Sequence, residues 1–239
     1  MKITTVLFDL DGTLLPMDQN AFIKAYFGGL ARRLAPHGYD PQKLINAIWQ
    51  GTAAMVKNDG SRSNEDLFWQ GFEATYGKPA RQDEELFAAY YREEFDKVSS
   101  SCGYTPMARE IIDTVKARGL RVALATNPIF PAMATERRIA WAGLSTSDFE
   151  LYTTYENSRF CKPNPAYYLD IMQTMGVSPE ECLMVGNDVV EDMVAQTLGS
   201  NVFLLTDDLI NPKNVDISIY PHGSYEELLD FIKNLNANE

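Results

Sequence analysis

The first strongly patterned segment of the chain is an unbroken apolar run from Val6 to Phe8, which ends at Asp9. A continuous run of this kind is typical of a strand that is buried on both faces of a parallel sheet. From Thr105 onward, apolar runs alternate with helical periodicity, as in residues 120–126 and then 131–142. This alternation predicts βαβ units and a parallel sheet.

Between these two parts, apolar residues recur only at helical spacing, as Phe22, Tyr26 and Leu30 do. A stretch of small residues at 99–103 follows and is suited to a hinge. We therefore predict an α/β fold, doubly wound around a mainly parallel sheet, with an inserted all-helical domain. The predicted domains are residues 1–16 with 100–239 for the α/β core and residues 17–99 for the helical insertion.

Composition narrows the class of protein. The 239 residues are 45% hydrophobic, which is ample for a core, and the net charge is −12. Because such a surface repels phosphate backbones and anionic membranes, we predict neither a nucleic-acid nor a membrane partner. The three cysteines are widely spaced without a CxxC pair, which favours reduced thiols in a cytoplasmic protein. The sequence also predicts neither a secretion signal nor a membrane span.

The first predicted strand ends in two carboxylates, Asp9 and Asp11, which Gly12 and Thr13 follow. Open α/β sheets bind ligands at the carboxyl ends of their strands, and Gly12 permits a turn that brings both carboxyl groups to one site. Two carboxylates this close repel each other, and a divalent cation or a proton relieves the repulsion. An acidic loop that caps the next helix is the alternative interpretation.

Three further segments follow predicted strands and should meet the first at the same sheet edge. Thr126 and Asn127 offer a hydroxyl, an amide and backbone N–H groups to phosphate oxygens. Lys162 precedes a predicted helix, where an anion is favoured. Asp188 and Asp192 lie one turn apart on a predicted helical face, and oxygen ligands without His or Cys suit Mg²⁺. Each segment taken singly has an alternative interpretation: a turn at Thr126 and Asn127, an ordinary surface lysine at Lys162, and a helix cap at Asp188.

Together these segments resemble the motifs of the haloacid dehalogenase (HAD) superfamily of phosphatases, and the insertion resembles its helical C1-type cap, as in subfamily I. The resemblance implies that Asp9 is a nucleophile that becomes an aspartyl-phosphate. It implies that Asp11 protonates the leaving oxygen and then takes a proton from water. The other residues with implied roles are Asp9, the Asp11 carbonyl and Asp188 for Mg²⁺; Thr126, Asn127 and Lys162 for phosphate; and Asp192, Asn187, Gly12 and Thr13 in support.

The implied activity is Mg²⁺-dependent hydrolysis of a small phosphorylated metabolite by a monomer or a homodimer. Asn187 is a departure, since many relatives carry Asp at this position, and it could be a neutral second metal ligand. A sugar phosphomutase of the same superfamily uses the same two aspartates and remains an alternative. A binding or regulatory module that keeps the fold without turnover is the alternative outside the enzymes.

Overall fold

A computed structural model describes residues 2–235, so Met1 and residues 236–239 of the predicted core lie outside the description. Its six strands are β1 (Thr5–Phe8), β2 (Arg121–Leu124), β3 (Leu151–Tyr152), β4 (Cys182–Gly186), β5 (Asn201–Leu205) and β6 (His222–Gly223). They form one sheet in the order β3-β2-β1-β4-β5-β6, and every neighbouring pair is parallel. The predicted parallel α/β fold is confirmed.

Helices fill both the insertion and the connections of the sheet. Between β1 and β2 lie α1 (Gln19–Leu34), α2 (Pro41–Val56), α3 (Asn64–Tyr76) and α4 (Glu84–Glu93). After β2 come α5 (Met107–Ala117), α6 (Ala132–Trp141), α7 (Pro165–Met175) and α8 (Tyr225–Asn234). The 3₁₀ helices are Ala35–His37, Arg81–Asp83, Phe95–Ser101, Thr146–Asp148, Pro179–Glu181, Met193–Leu198 and Ile217–Ile219.

Strand β1 lies at the centre of the sheet, between β2 and β4. Its residues Val6, Leu7 and Phe8 are fully buried, which explains why the run is continuously apolar rather than alternating. Just beyond the strand, the Asp9 backbone N–H donates to Val185 O at 2.9 Å. This hydrogen bond fixes the first predicted site residue at the carboxyl edge of the sheet.

The 3₁₀ helix Phe95–Ser101 contains the first three residues of the predicted hinge at 99–103 and crosses the predicted boundary between residues 99 and 100. The hydroxyls of Ser99, Ser100 and Ser101 each donate to a backbone carbonyl three residues earlier. These local hydrogen bonds order a stretch that composition alone would leave flexible. The domain boundaries themselves stay a prediction.

The segment after β4 differs from the expected helix that was to carry Asp188 and Asp192. It forms a short turn, and the helix that follows is a 3₁₀ helix, Met193–Leu198. Asp188 Oδ1 caps the turn by accepting from the Val190 and Glu191 backbone N–H groups. The Asp192 carboxylate folds back to accept from the Asp188 backbone N–H at 2.9 Å and from Lys162 at 2.7 Å, so it lies inside the site and not on a helical face.

Asn64, the first residue of α3, attaches the insertion to the sheet. Its fully buried side chain donates to Pro128 O at 3.3 Å and to Phe160 O at 3.2 Å, and its backbone N–H donates to Ser158 O at 2.8 Å. These carbonyls belong to the loops that follow β2 and β3, so the insertion lies over the carboxyl edge of the sheet. Among residues 2–235, no helix is both long and apolar enough to cross a membrane.

Candidate active site

The loops that follow β1, β3 and β4 bring Asp9, Lys162 and Asp192 together in the interior. The Lys162 Nζ donates to Asp9 Oδ1 at 2.8 Å and to Asp192 Oδ1 at 2.7 Å, and all three residues are buried. Burial by itself would lower the pKa of Lys162, but the charges of Asp192 and Asp9 outweigh it and raise that pKa well above its usual value. Lys162 is therefore an ammonium ion beside the predicted nucleophile.

The turn after Asp9 is held against the loop after β4. The Thr13 hydroxyl lies 3.1 Å from Asp9 Oδ2 and 3.2 Å from Asn187 Oδ1, and it can donate to either oxygen. The Asn187 Nδ2 donates to Asp208 O at 2.6 Å. At Gly12, where φ is +89°, a Cβ would lie 2.2 Å from Asn187 Nδ2. Only glycine permits this close approach, so Gly12 and Asn187 together fix the turn.

Asp11 forms an ion pair with Arg138 of α6, a residue that the sequence did not single out. The Arg138 side chain is fully buried, donates to Asp11 Oδ2 and to Thr135 Oγ1, and lies over the Phe130 ring at 4.5 Å. Burial raises the pKa of Asp11, and the positive charge of Arg138 opposes part of that rise. The sequence signal that could have identified Arg138 is its position on the apolar face of the helix predicted at 131–142, where a charged residue needs a buried partner.

Thr126 and Asn127 follow β2, as predicted. The Thr126 carbonyl accepts from Thr153 Oγ1 at 2.6 Å and from Tyr167 Oη at 2.8 Å, which fixes the loop. The Asn127 Nδ2 donates to Glu191 Oε2 at 3.0 Å. Sequence reasoning also missed Glu191, and burial raises the pKa of this carboxyl to about 7.

The implied magnesium ligands, two carboxylates and a backbone carbonyl, are oxygen donors of a suitable kind. Two further side-chain oxygens at the strand ends, Asp11 Oδ1 and Asn127 Oδ1, are buried and have no hydrogen-bond partner. Carboxylate and carbonyl oxygens are ligands that Mg²⁺ prefers, usually with several waters. Within residues 2–235, no group of three His, Cys, Asp or Glu side chains is arranged to hold a metal. The implied set of two carboxylates, Asp9 and Asp188, with one backbone carbonyl, does not need such a group.

A cavity of about 320 Å³ separates the strand ends from the helical insertion. The predicted residues that line it are Asp9, Asp11, Thr126, Asn127, Asn187, Asp188 and Asp192. Lys162 and Thr13 contact Asp9. The arrangement gathers several carboxylates at one end of a partly open cavity, with the buried ammonium of Lys162 behind Asp9. Such a group of charges can bind and activate a phosphoryl group.

A model of the haloacid dehalogenase-like hydrolase family matches residues 3–195. The chain therefore belongs to the haloacid dehalogenase-like hydrolases, as the strand-end motifs indicated.

Two curated relatives and one solved structure show how far the similarity extends. Pyrophosphatase PpaX from Bacillus cereus is 26% identical over 204 residues, which cover 84% of this chain and 82% of that protein. Hexitol phosphatase A from Escherichia coli is 23% identical over 225 residues, which cover 93% and 92%. The crystal structure of a HAD phosphatase from Thermococcus onnurineus has a TM-score of 0.60 at 19% identity, covering 97% of this chain and 98% of that one. The fold is thus shared along nearly the whole chain.

Proposed function

We propose that the protein is a phosphomonoester hydrolase that transfers the phosphoryl group of a small metabolite to Asp9 and then to water. The observation that carries this proposal is the buried ammonium of Lys162, 2.8 Å from Asp9 Oδ1. A fixed cation beside a carboxylate is suited to a phosphoryl group, whose transfer depends mainly on positioning and charge neutralisation. The phosphatase and pyrophosphatase names of the relatives support the same activity.

The proposed first step forms a bond between an Asp9 oxygen and phosphorus as the ester P–O bond breaks. Asp11 gives its proton to the departing alcohol oxygen, and burial shifts the pKa of Asp11 upward, the direction that suits an acid. Lys162 neutralises charge near phosphorus, and Thr126 and Asn127 donate to the phosphoryl oxygens. Arg138 holds Asp11 through one oxygen and leaves Oδ1 for the proton transfer.

In the proposed second step, water attacks phosphorus and the Asp9–phosphorus bond breaks. Asp11, now ionised, takes a proton from that water, so inorganic phosphate and the alcohol are the products. Asp9, the backbone carbonyl of Asp11 and Asp188 would hold Mg²⁺. When bound, this ion neutralises negative charge on the phosphoryl oxygens.

Hydrolysis of p-nitrophenyl phosphate by the purified full chain tests the proposal. We expect turnover with Mg²⁺, loss of turnover with EDTA, and a decrease of about 10⁴-fold or more in Asp9→Asn. Asp230→Asn, an exposed residue of α8, is the matched control and should keep full activity. Stoichiometric release of inorganic phosphate from sugar phosphates distinguishes a hydrolase from a phosphomutase. No turnover on a broad phosphomonoester panel would instead support a non-catalytic module.

The three cysteines agree with the proposed cytoplasmic setting. Cys102, Cys161 and Cys182 are all free thiols, and the last two are buried. Free thiols in the interior persist where the environment is reducing. The oligomeric state, monomer or homodimer, stays a prediction.

A further inference from the structure

The cavity wall that faces Asp9 consists largely of apolar side chains. The insertion contributes Ile23, Phe27, Trp49 and Phe68, and the loop after β2 contributes Phe130. Phe27 and Trp49 make an edge-to-face contact with ring centroids 5.4 Å apart, and Trp49 remains 46% exposed. A substrate bound at Asp9 would therefore place its leaving group against aromatic rings.

The insertion side of the cavity is electrically neutral. All charged side chains among the described lining residues are acidic and lie at the strand ends, and no Lys, Arg or His lines the cavity there. Two of the polar groups that the insertion offers, the hydroxyls of Tyr26 and Tyr91, are 2.7 Å apart and bond to each other. Gln19 supplies one further amide, and the Thr52 hydroxyl donates to Ile48 O at 3.0 Å. The Trp69 indole N–H is the one buried side-chain donor of the described insertion without a partner. A second phosphate or a carboxylate on the leaving group would find no positive partner.

This neutrality restricts the leaving group, because burying a charge without a partner is strongly unfavourable. Alcohols rich in hydroxyls are disfavoured for a related reason, since each buried hydroxyl needs a hydrogen-bond partner. A cationic alcohol would also lack a partner on the insertion side, because the acidic residues of the cavity all lie at the strand ends, where the phosphoryl group would bind. An uncharged, apolar leaving group meets none of these penalties.

The volume of the cavity indicates the size of the leaving group that it can cover. An apolar cavity of about 150 Å³ is enough to hold benzene. The 320 Å³ chamber is about twice that volume. It therefore has space for a phosphoryl group together with one ring or a short branched chain.

We propose that the substrate is a phosphomonoester of an uncharged, apolar alcohol about the size of one ring. This inference rests on the proposed hydrolase function and names the class of its leaving group. The aromatic wall discriminates by excluding charge and hydroxyl groups, while the strand-end residues act on the phosphoryl group that all candidate substrates share.

A matched pair of substrates tests this on the full chain with Mg²⁺. Benzyl phosphate and 4-carboxybenzyl phosphate differ by one carboxylate far from the ester. We expect kcat/KM to be at least about 100-fold higher for benzyl phosphate, because the added carboxylate would be buried unpaired. Glycerol phosphate, choline phosphate and pyrophosphate should also be poorer substrates. A higher kcat/KM for any of these four than for benzyl phosphate would overturn the inference.

Binding measurements test this inference independently of the proposed hydrolase activity. Benzylphosphonate and 4-carboxybenzylphosphonate cannot be hydrolysed, and calorimetry gives their dissociation constants. Tighter binding of benzylphosphonate supports the apolar site even if no substrate is turned over, a result that would overturn only the hydrolase. Equal or tighter binding of the carboxylated compound overturns the apolar site even in an active phosphatase.

A charge added to the wall should weaken the preference for benzyl phosphate. In Trp49→Arg we expect kcat/KM for 4-carboxybenzyl phosphate to rise at least about 10-fold relative to benzyl phosphate, because the carboxylate gains a partner. Leu169→Arg adds the same side chain at an apolar position of α7 that is 45% exposed, close to the 46% of Trp49. This control should keep the original ratio. If the ratio of the two kcat/KM values changed equally in Trp49→Arg and Leu169→Arg, the result would contradict the placement of the leaving group beside Trp49.

Discussion

At the scale of single residues, the candidate site depends on two buried cations. Lys162 bonds to Asp9, 153 positions away in the sequence, and Arg138 bonds to Asp11, 127 positions away. The Lys162 side chain is 1% exposed and that of Arg138 is fully buried. Removing one member of a buried pair leaves the other charge without a partner, so each cation should control both the orientation and the protonation of its carboxylate.

Arg138→Met should alter the pH dependence of hydrolysis of an alkyl phosphomonoester. The charge of Arg138 lowers the pKa of Asp11, so its removal raises that pKa further. Asp11 must be protonated to act as the acid, so the alkaline limb of kcat/KM should move to higher pH. We also expect kcat to fall at least about 10-fold through misorientation of Asp11.

Arg138→Lys is the matched control, because it keeps the charge while losing the planar guanidinium. Its alkaline limb should stay close to that of the unaltered protein, and circular dichroism shows whether each variant is folded. Identical pH profiles in all three proteins would contradict a role of Arg138 in the protonation of Asp11.

The sequence made the acidic site residues recognisable but not their partners. Asp9 and Asp11 stand out because they end an apolar strand, and Asp188 because it follows another. Arg138 carries a weaker mark, since helical spacing places it on the face of Ala134 and Ile139 and leaves Arg137 outside that face. Only the tertiary structure shows that its partner is Asp11.

At the scale of elements, strands with a long apolar run were predictable and very short ones were not. The strands β1, β2, β4 and β5 contain four or five residues each, whereas β3 and β6 contain two. Two residues are too few to establish a pattern of burial. Asn164 and Ser224 belong to the residue types preferred at helix N-caps, and each side chain caps the backbone of the helix that follows.

One element, the 3₁₀ helix Thr146–Asp148, has a stability that should depend on pH. Asp148 accepts from Arg109 at 2.6 Å, from Lys116 at 2.7 Å and from the Ser145 backbone N–H at 2.8 Å. The hydrogen bonds from Arg109 hold the pKa of Asp148 well below its usual range. A carboxyl whose pKa is lower in the folded state than in the unfolded state stabilises the fold at pH values above the unfolded pKa. This stabilisation is lost as the pH falls towards the folded pKa.

Asp148→Asn should therefore lower the free energy of unfolding by about 1 kcal/mol at pH 7, allowing for solvent screening of the partly exposed partners. The difference from the unaltered protein should shrink as the pH falls below about 4. Urea unfolding at several pH values measures it, with Asp230→Asn as an exposed control. A difference that is constant down to the lowest pH would contradict an electrostatic origin.

At the scale of the whole molecule, the cavity exists only because the insertion lies over the sheet edge. Helical spacing predicted the insertion but not which of its rings face the cavity, because core rings and cavity rings share that spacing. Phe72 is fully buried in the core, whereas Phe68, on the same helix, lines the cavity. Such a distinction depends on the contact between two parts of the chain, which periodicity does not report.

Asn64→Ala should loosen the insertion. It removes the amide that donates to Pro128 O and Phe160 O, and buried carbonyls without a donor cost about 1 to 3 kcal/mol of stability. We expect faster hydrogen exchange in α2 and α3 and a higher KM. Asn46→Ala, at an exposed position of α2, is the control. Unchanged exchange in Asn64→Ala would show that other contacts hold the insertion.

The most direct test of the central claim is to locate the phosphoryl group during turnover. The full chain and its Asp11→Asn variant are mixed with p-nitrophenyl phosphate and Mg²⁺ and quenched in acid, and the peptide that contains Asp9 is analysed by mass spectrometry. We predict a phosphoryl group on Asp9 that accumulates in Asp11→Asn, where no carboxylate activates the water, and that is absent from Asp9→Asn. Sustained hydrolysis with Asp9 unmodified, or with the phosphoryl group on another residue, would contradict the account.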